Sequence, residues 1–176
     1  MSALVKIQEE IITSPTASVE LGGANWDSSY NTYIVTYNNL IVDTDNRYLY
    51  LRFLVSSSPD TTSNYHYTYQ MISSYTSFNN YSASSNSYVM LGQFIGATSG
   101  ENANGYIQLF SMNDSTTRSF GIPQGAYVQY DGTNRVDNMQ GGFLQNVEQA
   151  TNGIQIYQNT GSIQSGVFNL YGLKKD

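Results

Sequence analysis

The stretch RYLYLRFLV (residues 47–55) alternates two kinds of side chain along its whole length. One set of alternate positions is aliphatic or phenylalanine: Leu49, Leu51, Phe53 and Val55. The other set carries tyrosine and arginine: Tyr48, Tyr50 and Arg52. Because successive side chains of a β-strand point to opposite faces, this two-residue period predicts a strand with one face on a core.

The same alternation recurs along the chain, separated by turns rich in Gly, Asn, Asp and Ser. The further predicted strands are 17–23, 30–42, 65–78, 87–96, 105–112, 126–132, 141–147, 152–161 and 165–173. About ten short strands at this spacing predict an all-β fold, a sandwich or a barrel. The polar turn DTDN (43–46) predicts that 30–42 and 47–55 form a hairpin, and 73–88 is interpreted as a strand end followed by a mobile loop.

The two ends of the sequence carry different predictions. LVKIQEEI (4–11) has the length for one or two helical turns before Pro15, so 1–15 is predicted to be a short extended or helical arm that clasps a neighbouring subunit. Residues 16–176 then form one antiparallel β-sandwich domain. The last predicted strand is expected to lie inside a sheet, with Phe168 and Leu170 in the core. The N-terminal segment has no sustained apolar run, and no signal peptide is expected.

Composition excludes several kinds of chemistry. The chain has 176 residues, a net charge of -6, one histidine and no cysteine, and 11% of its residues are charged. The absence of cysteine excludes a thiol nucleophile, a thiolate zinc site and an iron–sulfur cluster. The scarcity of Lys and Arg argues against nucleic acid and against an anionic membrane surface, because both require clustered cations. No cofactor and no membrane insertion are expected.

The sequence SGVFNLYGLKK (165–175) resembles a C-terminal strand of bacteriophage virion proteins, particularly tail-fibre and surface proteins. The matching positions are Phe168, Leu170, Tyr171, Gly172, Leu173 and Lys174. ITSPTASVEL (12–21) and YIVTYNNLIVDTDNRYLYLRF (33–53) are similar to the opening and the early hairpin of such domains. The resemblance implies a jelly-roll-like sandwich on a virion, made in the host cytoplasm and assembled as a homotrimer. It leaves head and tail locations open.

Catalytic and metal-binding patterns are weak. His66 lies between two tyrosines, no Gly-x-Ser-x-Gly elbow is present, and Asp43 and Asp45 lack the continuation of a calcium loop. The carboxylates that a glycan hydrolase would pair are Asp27, Asp60, Asp114, Asp131, Asp137 and Glu148. Most of them lie beside Ser, Asn or Gly, as turn-forming aspartates do. The sequence therefore predicts a protein that is not an enzyme; it indicates no metal site and leaves open whether a metal ion is bound.

The 16 tyrosines are the feature with functional content. The predicted contact residues are Trp26, Tyr48, Tyr50, Tyr65, Tyr67 and Tyr69. Tyrosine rings on a sheet face stack on sugars, fill a subunit interface, or cover half-buried strand surface. Trp26 is either a plug over the sandwich end or a contact anchor. The first hypothesis is a virion structural protein that adheres to itself and to other virion proteins. The alternatives are a module that binds a host surface glycan and, less favoured, a glycan hydrolase.

Overall fold

The structure is a computed structural model that describes residues 3–133 and 135–173. It contains strands but no α-helix within those ranges, and one 3-10 turn at Gly23–Asn25. The strands are β1 (Leu4–Ile12), β2 (Ser18–Gly22), β3 (Thr32–Val42), β4 (Arg47–Val55), β5 (Ser58–Pro59), β6 (Tyr65–Ser73), β7 (Phe78–Asn86), β8 (Val89–Ile95), β9 (Ala103–Phe110), β10 (Arg118–Val128), β11 (Val136–Glu148), β12 (Gly153–Gln158) and β13 (Ile163–Leu173). In this part of the chain no helix is long and apolar enough to cross a bilayer.

The strands form two antiparallel sheets. The larger sheet has eight strands in the order β1-β13-β3-β9-β10-β11-β6-β7. The smaller sheet has five, in the order β2-β12-β4-β5, with β8 also paired to β4. One hydrophobic core lies between the sheets and takes side chains from both, for example Leu51 of the smaller and Ile107 of the larger. The predicted all-β sandwich is confirmed, with thirteen strands instead of about ten.

The two-residue alternation of β4 is confirmed over most of its length. Leu49, Leu51 and Phe53 are fully buried, while their tyrosine neighbours are half-buried on the other face. The alternation ends at Leu54, which is buried where Val55 was expected to be. The chain turns there to pair with β5, and the Leu54 side chain lies beside Gly23 and Gly153, outside the main core cluster.

The final described strand, β13, is paired on both sides, as predicted. It lies between β1 and β3, and Phe168 and Leu170 are completely buried. The helical alternative for the N-terminal segment is wrong, because Leu4–Ile12 is extended and pairs with β13 from Leu4↔Leu173 to Ile12↔Gly166. This pairing satisfies backbone groups that β13 would otherwise leave open at a sheet edge. The extended alternative therefore holds for Leu4–Ile12, and this part of the predicted arm is a strand of the larger sheet.

Two other predictions about connections are wrong. β3 belongs to the larger sheet and β4 to the smaller, so DTDN carries the chain between sheets instead of closing a hairpin. Asp43 accepts hydrogen bonds from the Ser162 amide and Arg47, and Asp45 accepts one from the Ala97 amide. The predicted mobile loop within 73–88 is largely β7, which pairs with β6. Its serines and asparagines fit an edge strand because one of its faces is open to solvent.

Candidate functional site

Three of the predicted tyrosines belong to a half-buried aromatic cluster, which consists of Tyr48, Tyr50, Tyr67, Tyr88 and Tyr157. The ring centroids of Tyr50 and Tyr88 are 4.0 Å apart and stacked, and Tyr157 meets Tyr50 edge-on at 5.6 Å. Tyr67 joins the cluster through Tyr88 at 6.4 Å, and Tyr48 through Tyr50 at 6.4 Å. These rings are half-buried and pack on one another.

Arg52 and Tyr157 close one side of this cluster. The Arg52 guanidinium lies 4.5 Å from the centre of the Tyr157 ring and donates to the Ser87 carbonyl. The Tyr157 hydroxyl is buried and has no hydrogen-bond partner among the described residues. Burial raises the pKa of Tyr157 to about 12, because the charged phenolate loses more hydration than the neutral phenol.

Tyr65 and Tyr69, by contrast, are core residues and not contact residues. They are 0% and 5% exposed, because the face of β6 that carries them points toward the smaller sheet. The Tyr65 hydroxyl accepts a hydrogen bond from the Phe53 amide and donates one to the Asp60 carbonyl, both at 3.0 Å. Burial raises the pKa of both tyrosines. The prediction that these two rings form a contact surface is therefore wrong.

Trp26 packs at the end of the sandwich. Its ring centroid lies 3.9 Å from that of Tyr33, and its side chain borders the core. The indole Nε1 is buried without a partner among the described residues. This position matches the predicted plug better than the predicted contact anchor.

The carboxylates considered for hydrolysis all have structural partners. Four of them accept hydrogen bonds from a Ser or Thr two residues later: Asp27, Asp60, Asp114 and Asp131. These bonds hold the pKa of Asp27, Asp114 and Asp131 below its usual value. Asp137 is buried against Arg135 and Gln129, and Glu148 pairs with Arg118 at 3.2 Å. Within the described residues, no group of three histidine or acidic side chains is placed to hold a metal ion.

The outer face of the larger sheet carries an apolar groove of about 450 Å³. Its lining residues come from β6, β7, β10 and β11: His66, Tyr67, Thr68, Ala83, Phe120, Gly121, Ile122, Gly142, Phe143 and Leu144. Phe120 and Ile122 are 43% and 49% exposed. Gly142 adds no side chain to this face, and a Cβ built there would have no neighbour nearer than 3.9 Å. The groove thus exists partly because a glycine leaves space between larger side chains.

A second concavity, about 360 Å³, lies beside the groove on the same face. We call it the amide patch: Thr36, Asn38, Asn104, Gly105, Tyr106, Gln124, Gly125, Ala126 and Asn138. Tyr106 is 44% exposed, and its hydroxyl donates to Oε1 of Gln124 at 2.6 Å. The register places Tyr106 between Thr36 of β3 and Gln124 of β10, so three adjacent strands fix its surroundings.

Neither surface was predicted from the sequence. The alternation of Phe120, Ile122 and Gln124 is present, but Gly121 and Pro123 occupy the positions between them. Both residues disfavour a strand interior, so the predicted strand began only at residue 126. The structure extends β10 back to Arg118, with Gly121 buried beneath the groove and Pro123 also facing inward.

A third concavity, of about 530 Å³, lies at one end of the sandwich between residues 28–31 and 111–115. Two of its polar side chains take part in loop structure. Asn113 donates to the Tyr33 hydroxyl at 3.0 Å, and Asp114 accepts a hydrogen bond from the Thr116 hydroxyl. These bonds hold the loops that border the cleft.

Comparison with known proteins shows no family. No protein-family model and no curated protein matches the chain. Among solved structures, the chain is similar to the CBM2 module of the evolved Dit protein of Lactobacillus casei BL23 phage J-1. The identity is 9%, the match covers 90% of this chain and 69% of that chain, and the TM-score is 0.25. A TM-score this low carries no argument about the fold or the function of this protein.

Proposed function

We propose that this protein is a structural component of a phage virion, in a tail fibre, a tail-associated part or a capsid decoration, and that it acts by adhesion between subunits. The phage assignment is supported by the strand motif at 165–175, which resembles those of virion proteins. The adhesive role is supported by one observation above all, the apolar groove with its exposed Phe120 and Ile122.

The groove suits an apolar side chain of a partner subunit. Complete burial of one Leu or Phe side chain contributes about 1.5–3 kcal/mol. The same contact would also remove Phe120 and Ile122 of the groove from water. Phe110 stacks on Phe120 at 5.3 Å between ring centroids, which extends the apolar surface toward β9. Aromatic side chains that lose their contact with water on binding are typical of the energetic centre of an interface.

The partner in this proposal is a second copy of the chain, arranged as a homotrimer. The chain exposes Ile11 on β1, at the opposite edge of the larger sheet, with 60% of its surface accessible. A contact between one copy's β1 edge and the next copy's groove uses two different surfaces. Such head-to-tail contacts close into a ring when the rotation between copies permits, and three copies make the smallest such ring.

The test compares two substitutions of an exposed aliphatic residue by aspartate. Size-exclusion chromatography with light scattering should give a trimer for the native chain at micromolar concentration. Ile122→Asp places a charge in the groove and should yield monomers. Val136→Asp, at the end of β11 outside the groove and 45% exposed in the native chain, should leave the trimer intact.

A second variant fills the groove without adding charge. Gly142→Leu has room for its side chain on the outer face and should also give monomers. A native chain that is monomeric at micromolar concentration contradicts the proposal. So does a trimer that survives both Ile122→Asp and Gly142→Leu with folding confirmed by circular dichroism.

A further inference from the structure

The amide patch combines an exposed aromatic ring with a ring of uncharged polar groups. Tyr106 lies at its centre, and four amide side chains surround it: Asn38, Asn104, Gln124 and Asn138. No lining residue of the patch carries a formal charge. This composition differs from that of the groove beside it, whose lining is mainly apolar.

Several hydrogen-bonding atoms of the patch remain available. Gln124 uses Oε1 to accept from Tyr106, and Asn138 uses Nδ2 to donate to the Gly125 carbonyl at 3.0 Å. Among the described residues, Nε2 of Gln124 and Oδ1 of Asn138 have no partner. One is a donor and the other an acceptor, so the patch can both give and receive hydrogen bonds.

The patch is held in place from below. Gly105 and Gly125 face each other across β9 and β10, and a Cβ on either would come too close to the Tyr37 hydroxyl. The absence of side chains at these glycines lets the buried Tyr37 lie beneath both strands. The Asn104 side chain is fixed as well, because it accepts from the Asn39 amide at 2.8 Å and donates to Asn102 at 2.7 Å. A site built on strands with fixed side chains loses little entropy when a ligand binds.

We propose that the amide patch is a binding site for a neutral saccharide, in which one sugar ring lies against Tyr106 and its hydroxyls bond to Gln124 and Asn138. Sugar hydroxyls are both donors and acceptors, and the apolar face of a sugar ring matches an exposed tyrosine ring. A phosphorylated or acidic ligand would find no cation in the lining. This site is separate from the apolar groove and does not depend on the trimer.

The test begins with the full-length chain on an array of neutral and sialylated glycans. The native protein should bind neutral glycans, and the strongest hit should then be titrated as a soluble oligosaccharide by NMR. Tyr106→Ala should weaken that binding by about tenfold or more, because stacking is lost. Tyr106→Phe keeps the ring but removes the hydroxyl, so it should weaken binding by less than Tyr106→Ala.

Controls separate the patch from other tyrosines and from assembly. Tyr75→Ala removes another exposed tyrosine, outside the patch and 54% exposed, and should leave affinity unchanged. Ala126→Lys fills the concavity from β10 and should abolish binding. It tests the site independently of Tyr106→Ala. All variants should keep the oligomeric state of the native chain. Absence of any neutral hit, or equal affinity of the native, Tyr106→Ala and Ala126→Lys proteins, overturns the proposal without bearing on the trimer.

Discussion

The aromatic cluster and the outer face of the larger sheet use aromatic residues in opposite ways. In the cluster, Tyr50 stacks on Tyr88 and meets Tyr157 edge-on, so the rings pack on one another. On the outer face of the larger sheet, by contrast, Phe120 and Tyr106 are more than 40% exposed. Half-buried rings that pack on one another thus mark packing in the aromatic cluster, and the exposed rings of the larger sheet mark the surface available to a partner.

The largest effect should separate a buried tyrosine from an exposed one. Tyr65→Ala removes a fully buried ring and the hydroxyl that bonds to the Phe53 amide, so it should lower the free energy of unfolding by about 3–5 kcal/mol. Tyr106→Ala should change it by less than about 0.5 kcal/mol. Urea unfolding followed by circular dichroism measures both. Equal effects would break the distinction between packing and contact tyrosines.

The next effect concerns the glycines beneath the amide patch. Gly125→Ala should destabilise by about 1–3 kcal/mol, because its Cβ meets the Tyr37 hydroxyl. Tyr37→Phe should relieve a large part of that loss, since the ring carbon that bears the hydroxyl lies 3.4 Å from the new Cβ; the contact with the Asn104 carbonyl oxygen at 3.2 Å remains.

Gly105→Ala provides the matched control. There the new Cβ would overlap the Tyr37 ring carbon as well as the hydroxyl, so Tyr37→Phe should give little relief. Thermal unfolding should be measured for Gly125→Ala and Gly105→Ala, each alone and each combined with Tyr37→Phe. Similar rescue at both glycines would show that Tyr37 does not lie beneath the strands as described.

The aromatic cluster should be sensitive to alkaline pH. An unfolded tyrosine has a pKa of about 10, whereas that of folded Tyr157 is about 12. Between these values the unfolded chain releases a proton that the folded chain keeps, so stability is fully present below about pH 10 and falls as pH rises toward 12. Tyr157→Phe should reduce this fall relative to the native chain in urea unfolding at pH 9 and pH 11. A fall of unchanged steepness would contradict the burial of this hydroxyl.

The smallest effect is expected at the end of the groove, where Arg118 pairs with Glu148. Both side chains are about half exposed, at 49% and 53%. Arg118→Ala should therefore lower stability by less than about 1 kcal/mol, and high salt should remove most of the difference. Urea unfolding at low and high NaCl checks this. A larger loss that persists in salt would indicate that Arg118 supports the groove through packing.

Local alternation predicted the strands that have a clear apolar face, such as β4 and β13. It did not predict their partners, because the pattern of β3 and β4 is the same whether they pair or lie in opposite sheets. Tyrosine added a further ambiguity, since its ring suits a core and its hydroxyl suits a surface. Tyr65, Tyr67 and Tyr69 share one pattern, yet only Tyr67 is half-buried while the other two are buried.

The apolar groove and the amide patch were not predicted from the sequence for a different reason. Both depend on side chains that are absent: Gly142 leaves space within the groove, and Gly105 and Gly125 leave room for the buried Tyr37 beneath the patch. A linear pattern reports the chemistry of each residue, but not which glycines from separate strands come to lie side by side or what packs against them. Only the register of β9, β10 and β11 brings these positions together.

The position of β13 between β1 and β3 has a consequence for how the molecule folds. These partners are more than 100 residues away in sequence, as the pairs Leu4↔Leu173 and Val35↔Leu170 show. Until β13 docks, β3 has an open hydrogen-bonding edge and β1 has no sheet to join. Such long-range closure favours slow folding. Before β13 docks, the open edge of β3 makes the chain most prone to pair with a neighbouring copy in the wrong register.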